Sequence, residues 1–481
     1  MVNEPSNSKT MYRNLILLVL LWEVVGRLDL VAGGALPSLS EIIIRMWIDR
    51  HDYPLHIGST LYASSAGFLI GNILGVCAGV LFVLYPMTLR LSRGFNIAIF
   101  SLPPIAIAPI LVITLSGMAP RIVLATMGVY FITMTATVVG LSQADSRTSE
   151  LIRAYGGNKL QILRLVQFRS AIPSILAGFR IAAPNAVLGA ILAEFGGGGR
   201  WGLGTYLLGS LGRGEPDRLW GIGLMATLIS GASYFLFVVI SNRFLKGSTS
   251  ITLNTAIPTD ITKNEHVLKT FFITMGAIFL PISIWWALIF FSGLPSMIAK
   301  TPWGVVEYLF FSNMAEAAQG RLVAAIAETL PITFIGMTAG LLFAFLLAIF
   351  SSLYFQVIRA FMPIALITQT MPLVALTPLL VLILGRGNSL TLWVTISVTF
   401  FPAFVTLTQG ILLVPSLAKD LPKAYGGSKW QELIIVTIPA SLPYLFAATR
   451  LTVPRALLGV MIAEWLATGK GLGNLLNQSR G

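Results

Sequence analysis

Charge is scarce in this chain. Asp, Glu, Lys and Arg together make 11% of its 481 residues, against about 25% in a soluble domain. So few charges cannot solvate the surface of a globule of this size, so the apolar residues must face lipid. Cysteine is nearly absent. Cys77 stands alone in an apolar run, which excludes a disulfide and a thiolate cluster. The three histidines, His51, His56 and His266, are too scattered for a metal site. No Ser/His/Asp or Cys/His grouping suggests catalysis. A phosphate-binding loop of the form Gly-x4-Gly-Lys-Ser/Thr is missing too; the nearest approach, Gly469-Lys470, runs on into Gly471. The sequence therefore predicts no metal, no cofactor and no enzymatic site.

What is abundant is apolar length. Hydrophobic residues make 56% of the chain, and the mean hydropathy is +0.83. Long runs such as residues 15–22 and 341–350 lack the period-two alternation of a membrane barrel. Helices remain, since lipid offers the backbone no hydrogen-bond partner. The expected fold is an all-α polytopic membrane protein. The net charge of +13 comes from basic residues scattered singly between apolar runs, which argues against a nucleic-acid surface. The first run, residues 11–31, has the basic start of a signal peptide. Its Glu23, Arg27 and Asp29 do not suit a signal core, and it reads as an uncleaved first span.

The chain repeats itself. Glu150-Leu-Ile-Arg153-Ala154-Tyr155-Gly156-Gly157-Asn-Lys recurs 270 residues later as Asp420-Leu-Pro-Lys423-Ala424-Tyr425-Gly426-Gly427-Ser-Lys. The same offset maps Pro173, Arg180, Pro184 and Glu194 onto Pro443, Arg450, Pro454 and Glu464. Upstream an offset of 269 maps Thr60, Pro103 and Pro109 onto Thr329, Pro372 and Pro378. Gly202-Leu-Gly204 recurs as Gly471-Leu-Gly473. An ordered series of this kind marks a duplication in parallel orientation. It divides the chain into residues 1–246, a polar linker at 247–266 placed on the cytoplasmic side, and residues 267–481.

Spans are expected near 11–31, 57–84, 95–115, 120–142, 171–193 and 218–244, then near 268–291, 322–350, 360–384, 389–413 and 440–466. That makes about 11 helices, six and then five, the second copy having no counterpart of 218–244. A cytoplasmic amino terminus puts 17 Lys and Arg on the inner side and 11 on the outer, in the direction of the positive-inside rule.

Four features stand out. The two Ala-Tyr-Gly-Gly segments are polar, yet better matched than loops of a duplicated protein need be. A Gly-Gly pair lets two short helices meet at a bend. Both segments fall on one membrane face, as expected of sockets for two similar partners. Gly67, Gly71, Gly75 and Gly79, matched by Gly336, Gly340, Ala344 and Ala348, form a small-residue stripe. Such a stripe packs helices closely, and here it is expected to hold the two halves in a tight core. Arg180 and Glu194 share a helix face about 21 Å apart, and Arg450 and Glu464 repeat them. With Arg455 these charges are candidates for a translocation path that attracts an anion; structural ion pairs are the plainer alternative. Pro103-Pro104 and Pro109, with Pro372 and Pro378, predict bent spans.

The segments at Glu150, Ala154-Tyr155-Gly156 and Asp420, Ala424-Tyr425-Gly426 resemble the EAA loop of binding-protein-dependent ABC importer permeases. The Leu-Pro-Ser entries at Leu36 and Leu294, the proline-rich third span and the Glu…Gly-Leu-Gly ending are similar to the nitrate/sulfonate/taurine/bicarbonate branch. The usual two alanines after the acid are Leu151-Ile152 and Leu421-Pro422 here. The resemblance implies two repeats of the type I importer fold in a bacterial or archaeal cytoplasmic membrane. It implies coupling helices that seat two ABC ATPase subunits, and a solute-binding protein on the outer face. The cargo it implies is a small anion such as nitrate, bicarbonate, taurine or an alkanesulfonate, or else a vitamin precursor. An ion-coupled secondary transporter, also built from parallel repeats, and a membrane scaffold remain as alternatives. The first lacks acids near mid-span apart from Glu23 and Asp29, and the second leaves the paired segments unexplained.

Overall fold

The computed structural model describes residues 8–197, 199–244, 267–293, 295–296, 299–354 and 373–479. The linker at 247–266 and the start of the predicted span 360–384 lie outside them. Every regular element among the described residues is helical. The first repeat runs α1 (Ser8–Arg27), α2 (Leu39–Ile48), α3 (Tyr53–Leu84), α4 (Pro86–Ser101), α5 (Pro104–Thr114) and α6 (Ala119–Ser142). It continues through α7 (Ser146–Ala154), α8 (Lys159–Ile162), α9 (Phe168–Phe195), α10 (Leu203–Leu211) and α11 (Pro216–Phe244). The second runs α12 (Val267–Ser292), α13 (Pro302–Phe310), α14 (Ala315–Leu353), α15 (Leu373–Leu384) and α16 (Asn388–Leu412). It ends with α17 (Ser416–Ala424), α18 (Lys429–Glu432), α19 (Ile438–Ala463) and α20 (Gly471–Gln478).

Eight helices among the described residues are long and apolar enough to cross a membrane. Three expected spans are redrawn. Residues 95–115 are not one helix: the chain breaks between α4 and α5, with Pro103 extended at ψ 120° as the N-cap and Pro104 at the first helical position. Proline disfavours helix at the residue before it, so two consecutive prolines end one helix and begin another rather than bend it. The spans expected at 171–193 and 440–466 start earlier. α8 passes through a π-helical turn, Leu163–Gln167, into α9, and α18 passes through Leu433–Thr437 into α19. Each forms one long rod, Lys159–Phe195 and Lys429–Thr468.

The described chain divides into two compact units. One holds residues 58–205 and 229–327, with α6 packed along α9 at its centre. There Ala63, Ala125, Val129, Ala182, Ala186 and Ala190 form a buried core of small side chains that lets helices approach. The glycine stripe faces α6. A Cβ on Gly71 would stand 2.7 Å from Val129 Cβ, and one on Gly75 would stand 2.9 Å from Thr133 Cβ. Gly67 and Gly79 meet Ala125 and Thr137 in the same way. The stripe therefore packs α3 onto α6. α12 lies against α4 in this unit, with Gly276 facing the Leu91 side chain.

The other unit holds residues up to 57, residues 206–228 and residues 328–477. α16 packs along α19 there, and Gly336 and Gly340 face Thr395 and Thr399. Ala344 and Ala348 continue the stripe into a core with Ala403, Phe404 and Leu407. In the same unit Glu23 caps α2: its carboxylate accepts from the Ser40 amide at 3.0 Å and the Ser40 hydroxyl at 2.6 Å. That engagement gives the acid in the first span a structural use.

Candidate functional site

Each matched segment is a helix, a tight turn and a second short helix, and the local sequence dictates this. α7 begins at Asp145, whose carboxylate accepts from the Arg147 amide. It stops because Gly156 takes φ +80°, the left-handed region that glycine enters without cost. The Gly156 amide then donates to the Arg153 carbonyl at 2.9 Å and the Gly157 amide to the Ile152 carbonyl at 2.8 Å. This pair of bonds is the Schellman termination. The second glycine is needed for contact, since a side chain at Gly157 would run into Ile152. α8 then starts with a capping box between Asn158 and Gln161.

The second copy repeats the glycine turn and the capping box, although its first helix starts at Pro415 without a side-chain cap. Gly426 has φ +75°. The amides of Gly426 and Gly427 donate to Lys423 at 2.9 Å and Pro422 at 2.8 Å, so Pro422 within α17 leaves the termination intact. Ser428 and Gln431 form the box of α18. The π turns also match, Leu163–Gln167 with Leu433–Thr437.

Glu150, Arg153, Ala154, Tyr155 and Gly156 are exposed, as are Asp420, Lys423, Ala424, Tyr425 and Gly426. Tyr155 is 86% and Tyr425 87% exposed. Leu151 and Leu160 in one copy, with Leu421 and Trp430 in the other, add exposed apolar side chains to the same charged segments. Lys423 lies 3.6 Å from Asp420 and 3.4 Å from Glu432. An apolar tip ringed by charge on a rigid turn has the composition of a contact surface.

The span charges do not act as pairs along one helix. Arg180 donates to Ser241 and, at 3.2 Å, to Asn242 Oδ1 on α11. Among the described residues its Nε is buried without a hydrogen-bond partner. Arg450 is exposed and Arg455 partly buried. Glu194 and Glu464 are 1% and 3% exposed. Thr60 donates to Glu194 Oε1 at 2.7 Å and receives the Leu203 amide at 2.9 Å, while the Gly204 amide donates to Oε2 at 2.7 Å. In the other copy Thr329 donates to Glu464 Oε1 at 2.8 Å, the Leu472 amide donates to Thr329 at 2.8 Å, and the Gly473 amide donates to Oε2 at 2.9 Å. Each glutamate thus latches a Gly-Leu-Gly turn to its bundle, at the end of α9 or α19 away from the Ala-Tyr-Gly-Gly segment. Gly202 and Gly471 are required because a side chain there would strike the carboxylate. Sequence reading matched Thr60 to Thr329 without giving them a role, and it missed Arg121, which stands 3.9 Å from Glu194.

A family model described as "Binding-protein-dependent transport system inner membrane component" matches residues 71–248 and again 336–481. A Haemophilus influenzae protein named "Probable ABC transporter permease protein" is 28% identical over 195 residues, covering 40% of this chain and 77% of its own. The formylaminopyrimidine transport permease protein of Halalkalibacterium halodurans is 32% identical, covering 37% of this chain and 67% of its own. The riboflavin transport system permease protein of Chloroflexus aurantiacus is also 32% identical, covering 26% of this chain and 46% of its own. No solved structure matches the chain.

Proposed function

Because this chain belongs to the family of binding-protein-dependent transport system inner membrane components, we propose that its two glycine-bent segments are the sockets through which separate ATPase subunits drive it. The chain is a permease component of an ABC importer. In the proposed arrangement one ATPase subunit meets α7–α8 around Tyr155, and a second meets α17–α18 around Tyr425. A solute-binding protein delivers cargo at the opposite end of the bundles. The amino terminus and the linker at 247–266 lie in the cytoplasm, and residues 1–246 and 267–481 form the two permease repeats. ATP favours one arrangement of the sockets over another, and only that difference in binding can move the path.

The observation that carries this reading is the identity of the two sockets. They share termination, capping box, π turn and exposure, although Pro422 stands where the first copy has Ile152 and Ser428 where it has Asn158. An unpartnered loop has no reason to keep that geometry twice. The test is co-purification from membranes. Gly156→Val and Gly426→Val force a β-branched residue into the left-handed region, at a cost of about 1–3 kcal/mol each. The double variant should lose the ATPase subunit that the unaltered chain retains. Exposed Tyr155→Ala and Tyr425→Ala should weaken the same association with no effect on folding. Retention of the ATPase in all these variants contradicts the reading.

For the cargo, the names of the two relatives at 32% identity favour a small nitrogen heterocycle related to a vitamin. An anion is the second reading, favoured by the unfilled Nε of half-buried Arg180 and by Arg450 and Arg455 on the matching rod. Arg180, Arg450 and Arg455 are then the proposed path residues, while Glu194 and Glu464 shape its end through the glycine turns. Competition of labelled uptake by a pyrimidine against nitrate or taurine separates the two.

A further inference from the structure

The two glutamate latches differ in charge. Helix packing fixes the comparison. Gly71 faces Val129 and the Thr126 carbonyl, and Gly340 faces Thr399 and the Ile396 carbonyl, so α16 follows α6 at an offset of 270. α14 follows α3 at 269, as Thr60 and Thr329 on their glutamates require. Arg121 therefore corresponds to Thr391, and Ser59 to Glu328.

In the first copy the Arg121 guanidinium lies 3.9 Å from Glu194, their side chains 2% and 0% exposed, and Arg121 also donates to Ser59. In the second, Glu464 keeps the threonine and glycine bonds but has no cation within 4 Å among the described residues. Thr391 is buried in the place of the arginine. The nearby charges are Glu328, next to Thr329, and Lys470, whose Nζ stands 3.9 Å from Glu328 at the surface. A buried carboxylate without a cation has only its hydrogen bonds to offset its desolvation cost. The backbone differs at the same place. α9 stays α-helical to Phe195, whereas Glu464–Thr468 is a π turn, a distortion that recurs at functional positions in helices.

Resting on the reading of the chain as an importer permease, we infer that the latches play unequal parts: Arg121 holds the glycine loop of the first repeat in place throughout the cycle, and Glu464 is the positioning residue of the loop that lifts, residues 469–473, when the path opens outward. Lifting breaks the bonds from the Leu472 and Gly473 amides. Water then reaches the Glu464 carboxylate and offsets their loss. In the first copy the same motion must also separate a buried ion pair.

The test uses the complete transporter, with its ATPase and solute-binding protein, in proteoliposomes. Cys77→Ser removes the native thiol. Thr205→Cys or Asn474→Cys then places a single thiol directly after each Gly-Leu-Gly, and a membrane-impermeant maleimide is added from outside. With ATP, vanadate and binding protein present, labelling at Asn474→Cys should accelerate about tenfold and at Thr205→Cys less than about twofold. Arg121→Thr should confer the acceleration on Thr205→Cys. Glu464→Gln should preserve the response of Asn474→Cys, and Glu464→Ala should label fast in both states. Equal acceleration at the two positions in a transporter that imports overturns this inference alone, without recourse to any core variant. Failure of the unaltered protein to import on ATP overturns the underlying reading and this inference with it.

Discussion

Asp49 illustrates how single residues hold this fold together and why they escape sequence reading. Its carboxylate accepts from Arg218 Nε at 2.7 Å and Nη2 at 2.8 Å, and from Arg45 Nε at 3.0 Å. Glu215 closes the ring, 2.9 Å from Arg45 and 2.6 Å from Arg218. Burial raises the Asp49 carboxyl, but the bonds and charges of Arg218 and Arg45 outweigh it and hold the group below its ordinary range. A depressed folded value stabilises the protein above the ordinary aspartate range and is lost as pH falls through it. Asp49→Asn should cost about 3–5 kcal/mol near neutrality, read as a lower Tm in detergent, and the gap from the unaltered protein should narrow toward acid pH. A gap independent of pH contradicts this. Nothing local announces the network, because Arg218 stands 169 residues away from Asp49. Thr60 and Glu194 are likewise 134 apart. The Gly156 turn was legible because all its bonds close within six residues.

Elements were legible in proportion to how far composition alone sets them. Apolar length placed the membrane helices, and four-residue glycine spacing marked a packing face. The partner of that face was not readable, since spacing names a surface and not what meets it; α3 meets α6 of its own repeat. Gly71→Leu should force these helices apart and cost about 1–3 kcal/mol. Leu74→Ala, on an exposed side chain three residues further along, should cost far less. Thermal unfolding of the two variants in detergent decides it, and equal losses would count against the stripe. The π turns at Leu163–Gln167 and Leu433–Thr437 leave no compositional trace, because a π turn only shifts the hydrogen bond from i→i+4 to i→i+5. Pro103-Pro104 was readable as a bend, but the complete break needed the extended backbone at Pro103 to be seen.

At the scale of the whole molecule, duplication was the most legible property, and its consequence is geometric. α9 has 28 residues and is about 42 Å long. One rod therefore joins a glycine-bent socket at one end to a glutamate latch at the other, in each repeat. In the proposed arrangement a displacement of the socket would reach the far latch along this one continuous helical rod. Asymmetry between the copies, Arg121 against Thr391, is invisible to a reading that looks for matches, because it lies where the repeat fails. The most direct test of the central claim is cross-linking in native membranes. With Cys77→Ser as background, Tyr155→Cys and Tyr425→Cys should each form a cross-link to an ATPase subunit, and ATP should change its yield. Cross-links to no nucleotide-hydrolysing protein, or labelling of both positions from the outer face of sealed cells, would contradict the account.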